Sequence, residues 1–422
     1  MNKLSWFKKN KNIFSWALYD FGNSAFSTTV MAGFFPVFFK QYWSENADPT
    51  LSTARLGTAI TIGSILVALI SPFLGAIADH RGAKKKMCFL FMFFGTASCA
   101  WMAFIPAGDW FSAVLAYGIG MSSFSASCIF YDSLLPSIAP GEKANFASSL
   151  GFSLGYLGGG LLFTVNVLMY LKPELFGIAS GVTAIKISFF SVAIWWFLFT
   201  LPLMKVVAEP VTAVKKMSLI KAFTSSGHDV LKMVTSLFKQ KNLFLFLISY
   251  WLYIDGVYTV MTMAVDFGLS LGFKSSDLIT ALLIVQFIGF PASMISSYFA
   301  DKWGCRVPIL FSIVVYGITV IGSTYMSEPI HFYGLACIIG LAQGGVQALS
   351  RSMFSQMIPP AESGEYFAFF NLVGKFASIL GPLLVGWGAY LMGSPQRGML
   401  NLLILFIIGG ALLFKVKEPQ RT

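Results

Sequence analysis

The sequence predicts an all-helical integral membrane protein: all-α, with twelve transmembrane helices in two pseudo-symmetric six-helix bundles. Three observations carry that expectation. Of the 422 residues, 56% are apolar and only 11% charged, against about 25% charged in a soluble domain. Apolar runs of spanning length, about 20 residues, recur from Trp16 to Phe414. The two halves of the chain also echo each other. Twelve spans of about 22 residues use about 264 residues and leave short loops. That composition excludes a soluble enzyme, a nucleic-acid-binding module and a disordered scaffold, and it leaves no room for a separate catalytic domain outside the membrane.

The apolar runs and their breaks place spans at 14–39, 57–78, 87–106, 111–133, 146–170 and 184–204, then at 242–266, 278–300, 307–326, 332–356, 365–389 and 398–414. Lys3, Lys8, Lys9 and Lys11 followed by an apolar run imitate a signal peptide, but the run reaches Phe39. That is too long for a signal core, so it reads as the first span. With both termini cytoplasmic, the cytoplasmic segments hold 21 Lys and Arg and the outer segments 6, with Arg351 and Lys375 inside spans. Orientation by basic loops requires such an asymmetry. The net charge of +11 is thereby a topology signal, and no basic stripe calls for a nucleic-acid partner.

Three domains follow: a first bundle over 1–204, a cytoplasmic linker over 205–241 and a second bundle over 242–422. The linker region between Leu203 and Lys241 holds seven Lys. Val230, Leu231, Val234, Leu237 and Phe238 recur there at helical spacing, which predicts an amphipathic helix on the inner membrane surface. Five scattered Cys without a CxxC pair and three distant His give neither a disulfide framework nor a metal site. No cofactor is expected.

Gly141-Glu142, Gly151 and Gly158 recur 223 residues later as Gly364-Glu365, Gly374 and Gly381, with Phe146, Leu157 and Leu161 matched by Phe369, Leu380 and Leu384. At a shift of 222, Asp79-His80-Arg81-Gly82-Ala83-Lys84 answers Asp301-Lys302-Trp303-Gly304-Cys305-Arg306. Two sets of six spans in one orientation form a parallel repeat, and membrane transporters place their substrate site between such repeats.

An ionisable residue at the centre of a span costs roughly 2.5–3.5 kcal/mol on insertion scales. The third, sixth, ninth and twelfth spans are nearly free of them, which predicts that those four face lipid. Asp20, Asp132, Asp255, Arg351 and Lys375 fall in the first, fourth, seventh, tenth and eleventh. Asp20, Asn23, Ser24 and Ser27 share one face of the first span. Asp255, Tyr258, Thr259 and Thr262 share one face of the seventh; Gln343, Gln347 and Arg351 of the tenth; Asn371, Lys375 and Ser378 of the eleventh. Facing polar stripes are what a solvated pathway needs.

Each residue has a structural alternative. Asp255 could pair with Lys375 or Arg351, and Asp20 could be a hydrogen-bonded structural acid beside Asn23. Arg351 and Lys375 either hold an anionic substrate group or neutralise the aspartates. Gln343, Gln347 and Asn371 serve as ligand contacts or as glue between helices. Asp132, near a helix end and the basic 80–86 loop, reads as structural. The 43 Phe read mostly as lipid-facing packing. No catalytic constellation competes: HExxH is absent, and Gly158-Gly159-Gly160 sits inside a span, where glycines serve close helix approach.

The run Gly75-Ala-Ile-Ala-Asp79-His-Arg81-Gly82-Ala-Lys84-Lys85 resembles the signature loop of the major facilitator superfamily. The resemblance implies that Gly75 lets two helices approach, that Asp79 faces the start of another helix, and that Arg81 and Lys84 lock the cytoplasmic side. Gly82, Asp132, Asp301 and Arg306 belong to the same gating set. Here Ala83 stands where the family has a basic residue. Trp16-Ala-Leu-Tyr19-Asp20-Phe-Gly-Asn23-Ser24, Gly155-Tyr-Leu-Gly158-Gly159, Asp255-Gly-Val-Tyr-Thr259 and Gly344-Gly-Val-Gln347-Ala-Leu-Ser350-Arg351-Ser352 resemble the vacuole effluxer branch, named for a fungal vacuolar amino-acid exporter linked to autophagy. The Gly-Pro motif of drug antiporters in the fifth span is Gly155-Tyr156 here.

Together these features lead to the expectation of a secondary transporter, not an enzyme, that moves a small polar solute by alternating access. The resemblance implies an amino acid, exported. Asp20 and Asp255 are the expected proton-coupling acids. The expected substrate contacts are Asp20, Asn23, Asp255, Thr259, Gln343, Gln347, Arg351, Asn371 and Lys375. The expected partners are the bilayer, a small-molecule substrate and protons, with the chain a monomer in a bacterial inner membrane. The rivals are an exporter or flippase of lipid-like or drug-like amphiphiles and a membrane receptor or scaffold that transports nothing.

Overall fold

A backbone in hydrocarbon must satisfy its own hydrogen bonds, so apolar segments of this length can only be helices or closed barrels. The computed structural model describes residues 10–44, 74–76, 78–79, 82–209, 235–237, 239–377 and 380–418, and every regular element among them is helical. Eight of the described helices are long and apolar enough to cross a membrane. Most of the second span, Arg81 and nearly all of the linker lie outside the described residues.

The first span begins as α1 (Lys11–Ala25). It continues in wide π-type turns over Phe26–Phe34, an α turn over Phe35–Phe38 and a second wide stretch over Phe39–Trp43. Pro36, near the start of the α turn, brings no N–H to the ladder. Then come α2 (Lys84–Met102), α3 (Trp110–Ser133), α4 (Lys143–Leu171) and α5 (Gly181–Val206). The second half supplies α6 (Lys241–Ser270), α7 (Ser275–Trp303), α8 (Arg306–Ser323) and α9 (Pro329–Met357). It ends with α10 (Ser363–Phe376), α11 (Leu380–Met392) and α12 (Leu402–Lys415).

The expected single span over 365–389 is therefore two helices, α10 and α11. Pro382 falls in the first turn of α11, where its missing N–H and its ring are tolerated.

The chain forms two compact units, one of residues 1–134, 154–226 and 361–368, the other of 135–153, 227–360 and 369–422. Each unit draws one segment from the opposite half of the sequence. In the first, α2 packs on α3 and α5, and α1 on α5. In the second, α8 packs on α9 and α12, and α6 on α12. The sequence repeat is thus a repeat of packing partners.

Helix ends in both units are tied by the same device. The Glu209 carboxylate accepts from the Lys85 backbone N–H at 3.1 and 3.2 Å, and Lys85 Nζ donates to Met204 O at 3.1 Å and Val207 O at 2.7 Å. In the other unit, Glu418 accepts from the Arg306 N–H, and Arg306 Nη1 donates to Phe414 O and Val416 O at 3.2 and 3.1 Å. An acid thus meets the N–H groups left open at a helix start, and a base meets the carbonyls left open at a helix end. The sequence signal is a repeated Val-x-Glu-Pro, at Val207 to Pro210 and Val416 to Pro419. Burial pushes the Glu209 carboxyl above its ordinary range despite the Lys85 and Lys84 contacts.

Glycines set the spacing of α4 on α1. A Cβ on Gly158 would meet the Phe21 backbone, and one on Gly155 or Gly159 would meet Ser24 Oγ at 2.6 Å or Thr28 Oγ1 at 2.8 Å. Gly118 faces open space. Gly158→Ala is therefore expected to cost about 1–3 kcal/mol through overpacking, and Gly118→Ala to be neutral or slightly stabilising. Thermal unfolding of the two variants in one detergent checks the contrast.

Candidate substrate and coupling site

In the first unit, α1 lays its polar face against α3. Tyr131 Oη donates to Asp20 Oδ2 at 2.8 Å, and Trp16 Nε1 donates to the Tyr131 carbonyl at 2.9 Å. The Trp16 and Tyr131 rings stack with centroids 4.3 Å apart, and Tyr19 lies on the same ring at 4.7 Å. Asn23, buried, directs Nδ2 to Cys128 Sγ at 3.5 Å. Asp20 and Asn23 thus face one neighbouring helix, and an aromatic stack fixes the phenol that holds the acid. Tyr131, one residue from Asp132, reads in the sequence only as a phenol within an apolar run; Asp132 itself is buried at the end of α3.

In the second unit, Asp255 is fully buried on α6. Its carboxylate accepts from the backbone N–H groups of Leu380 at 3.1 Å and Gly381 at 2.9 Å, and from Thr259 Oγ1 at 3.3 Å. These two N–H groups open α11 and exist as free donors only because the eleventh span is broken. A Cβ on Gly381 would strike Thr259 and come within 2.7 Å of Asp255 Oδ1, so glycine is what lets the carboxylate reach the helix start. The structure brings Asp255 and Thr259 together as expected, on a backbone partner that sequence spacing does not disclose.

Arg351 has different surroundings. It is 4% exposed on α9, its Nε donates to Ser148 Oγ at 2.8 Å and its Nη2 to the Ser148 carbonyl at 3.0 Å. The guanidinium lies over the Phe152 ring, 4.3 Å from its centroid. Ser148 Oγ in turn donates to the Ala348 carbonyl at 2.7 Å. Gln343 is buried, Gln347 Nε2 lies 3.9 Å from Met261 Sδ, and Asn371 is half-buried. Lys375 is the penultimate residue of α10; Ser378 is outside the described residues. Nothing in the sequence marks Ser148 and Phe152 as its partners, since a serine and a phenylalanine in a span read as packing.

The signature loop is assembled around Asp79. Lys84 Nζ lies 2.7 Å from Asp79 Oδ1, with the two side chains 2% and 7% exposed. The same carboxylate accepts from the N–H groups of Gly364 at 3.1 Å and Glu365 at 3.0 Å, in the first turn of α10. Lys84 Nζ donates to Ser363 Oγ at 2.8 Å, and Ser363 Oγ to the Ser133 carbonyl at 2.8 Å. A Cβ on Gly75 would run into the Gly364 backbone, and Gly82 turns the chain at φ 56°. Gly75, Asp79 and Lys84 are thus brought together at the start of α10, with the turn at Gly82 between Asp79 and Lys84. In the second copy, Asp301 is exposed and accepts from Asn145 Nδ2 at 3.1 Å. Arg306 caps α12, as described above, and does not pair with Asp301.

Comparison with known proteins fits this architecture. The pattern of the family described as Vacuole effluxer Atg22 like matches residues 50–421. The chain belongs to that family. An Atg22-like relative in Bacillus subtilis (strain 168), the uncharacterized MFS-type transporter YxiO, is 37% identical over 99% of this chain and 96% of its own. Autophagy-related protein 22 of Eremothecium gossypii is 23% identical over 98% of this chain and 92% of its own. Among solved structures, the proton:xylose symporter XylE superposes with a TM-score of 0.73 at 15% identity, over 98% of this chain and 96% of its own. FucP in its outward conformation gives 0.71 at 10% identity, over 96% of this chain and 98% of its own. At those identities the likeness shows the fold, which is that of the major facilitators. The Atg22-like chain is a multi-pass membrane protein whose relatives and structural neighbours are transporters rather than enzymes.

Burial raises the Asp79 carboxyl above its ordinary range, against the pull of Lys84 and the two N–H groups. A carboxyl raised by folding contributes stability that is complete below the ordinary carboxylate range and is lost as pH rises through the folded value. Lys84→Met, which leaves a buried unpaired carboxylate, is expected to cost about 3–5 kcal/mol near neutral pH. That cost should shrink as the pH falls and Asp79 takes its proton. Thermal unfolding from about pH 7 down to about pH 4 checks the slope, which Asp79→Asn should flatten.

Proposed function

We propose that this chain is a secondary transporter that moves a small polar solute, an amino acid, outward by alternating access with proton coupling. The observation that carries the reading is the Asp255 carboxylate on the two N–H groups that open α11. Broken helices near the middle of the membrane are where transporters build substrate and ion sites. As a carboxylate, Asp255 grips the helix start through charge-assisted bonds; once protonated, it accepts more weakly, and α11 is free to shift or to receive a substrate carboxylate. Lys375, on the helix that leads into the break, supplies the cation for that carboxylate. Thr259, Gln343, Gln347 and Asn371 supply neutral contacts.

Asp20 is the second coupling acid, with Tyr131 Oη as the group that senses its charge. Asn23 beside it contacts the substrate. Arg351, held by Ser148 and Phe152, is read as a latch between α9 and α4 that opens during the cycle, so its anion-binding role is confined to the state in which the latch is open. The Asp79–Lys84–Ser363 cluster is the corresponding gate at the start of α10. Both termini are placed in the cytoplasm by the excess of basic residues in the segments on that side, the membrane is a bacterial inner membrane, and the working unit is a monomer.

A second reading, transport of amphiphiles, is favoured by one feature. A cavity of about 70 Å³ lies among α6, α7, α8 and α9, lined by Val260, Phe267, Leu282, Val320 and Phe332 among others, and its exposed wall is apolar throughout.

Proteoliposomes test the reading. Asp255→Asn is expected to abolish uptake driven by a proton gradient while leaving substrate exchange, and undiminished driven uptake would remove its coupling role. Competition by amino acids against competition by amphiphiles separates the two substrate classes.

A further inference from the structure

The start of α6 borders an apolar groove and carries exposed lysines. Phe244, Leu247, Ile248 and Trp251 line one wall, and they recur at the spacing of a single helix face. Phe369 and Val373 of α10 line the other, with Leu237, around a cavity of about 180 Å³. The next face of α6 is filled: Tyr250 stacks on Phe370 at 4.2 Å, and Phe354 stacks on Phe370 at 4.5 Å. The groove is therefore a gap beside a well-packed seam. From Phe244 to Trp251 it runs seven residues, or about 10 Å along the helix axis, all of it apolar side chain.

Three lysines stand around the start of α6. Lys239 and Lys241 are exposed and flank the first turn of α6. Lys417 is exposed and is pinned beside them, because Asn242 Nδ2 donates to its carbonyl at 2.7 Å and Asn242 Oδ1 accepts from its N–H at 2.8 Å. The neighbouring acid, Glu418, is engaged by the Arg306 N–H. Among the described residues, none of the three ammonium groups is paired with a carboxylate.

We propose that this groove holds an anionic phospholipid, with one acyl chain along the α6–α10 gap and its phosphate among Lys239, Lys241 and Lys417. The chemistry fits this occupant on both sides. An apolar slot opening at the end of a span accepts a hydrocarbon chain, and basic clusters at the end of membrane helices select anionic head groups. A soluble anion would leave the apolar wall empty, and a zwitterionic lipid would leave the three charges without a net counter-charge. The site is distinct from the Asp255 and Asp20 clusters and does not depend on what is transported.

The test uses the purified full-length protein in detergent, titrated with phosphatidylglycerol, with phosphatidylcholine of the same chains, and with inorganic phosphate, and read by thermal unfolding and by lipid retained in native mass spectrometry. Phosphatidylglycerol is expected to raise the unfolding temperature more than phosphatidylcholine and to be retained in preference to it. The variant Lys239→Gln/Lys241→Gln/Lys417→Gln should lose that preference while keeping its fold, since all three side chains are exposed. Ile248→Trp, which fills the groove, should lower retention of both lipids. Equal effects of the two lipids on the native protein, or a triple variant that keeps the preference, would overturn the proposal. Stabilisation by inorganic phosphate equal to that by phosphatidylglycerol would assign the lysines to a free anion and remove the lipid.

Discussion

Carboxylates set on the open ends of helices organise this molecule. A helix leaves its first N–H groups without partners, and where a helix end is buried there is no water at hand to satisfy them. Four acids meet that need here: Asp79 at the start of α10, Asp255 at the start of α11, Glu209 at the start of α2 and Glu418 at the start of α8. Each pairing solves two problems at once, since the acid also has to be compensated for leaving water. The helix dipole adds to the attraction at all four positions.

These pairings differ in what surrounds them, and the difference gives them different uses. Asp79 has a lysine as well as two N–H groups, and Lys84 is itself tied to Ser363. Such a closed network holds firmly and comes apart as a unit. Among the described residues, Asp255 meets two N–H groups and a threonine hydroxyl, at a helix start whose first turn accommodates Pro382. Those bonds are strongest while the carboxyl carries its charge. Membership of the Atg22-like family and the major facilitator fold place both pairings in a protein of transporter type.

Much of this was legible in the residues. The span count and the repeat pointed to the fold because hydrophobic length and period are local properties of a sequence. Asp20, Asp255 and Arg351 stood out because a charge in a span is costly wherever it lies. Their partners did not stand out. Ser148, Phe152 and Tyr131 are residue types that any span contains, and the N–H groups of Leu380 and Gly381 have no sequence signature. The Val-x-Glu-Pro repeat was present in plain letters, yet only the hydrogen bonds from Lys85 and Arg306 give it a meaning.

By itself the sequence determined that the chain must lie in a membrane as helices, that its halves are copies, and which ionic groups had to be accounted for. All three follow from transfer free energies, which depend on residue type. The tertiary structure decided where the eleventh span breaks, that Asp255 answers to a backbone rather than to a cation among the described residues, and that Arg351 rests on Ser148 and Phe152. Those outcomes depend on directional bonds a few ångströms long, and such bonds are fixed only when helices distant in sequence are packed side by side.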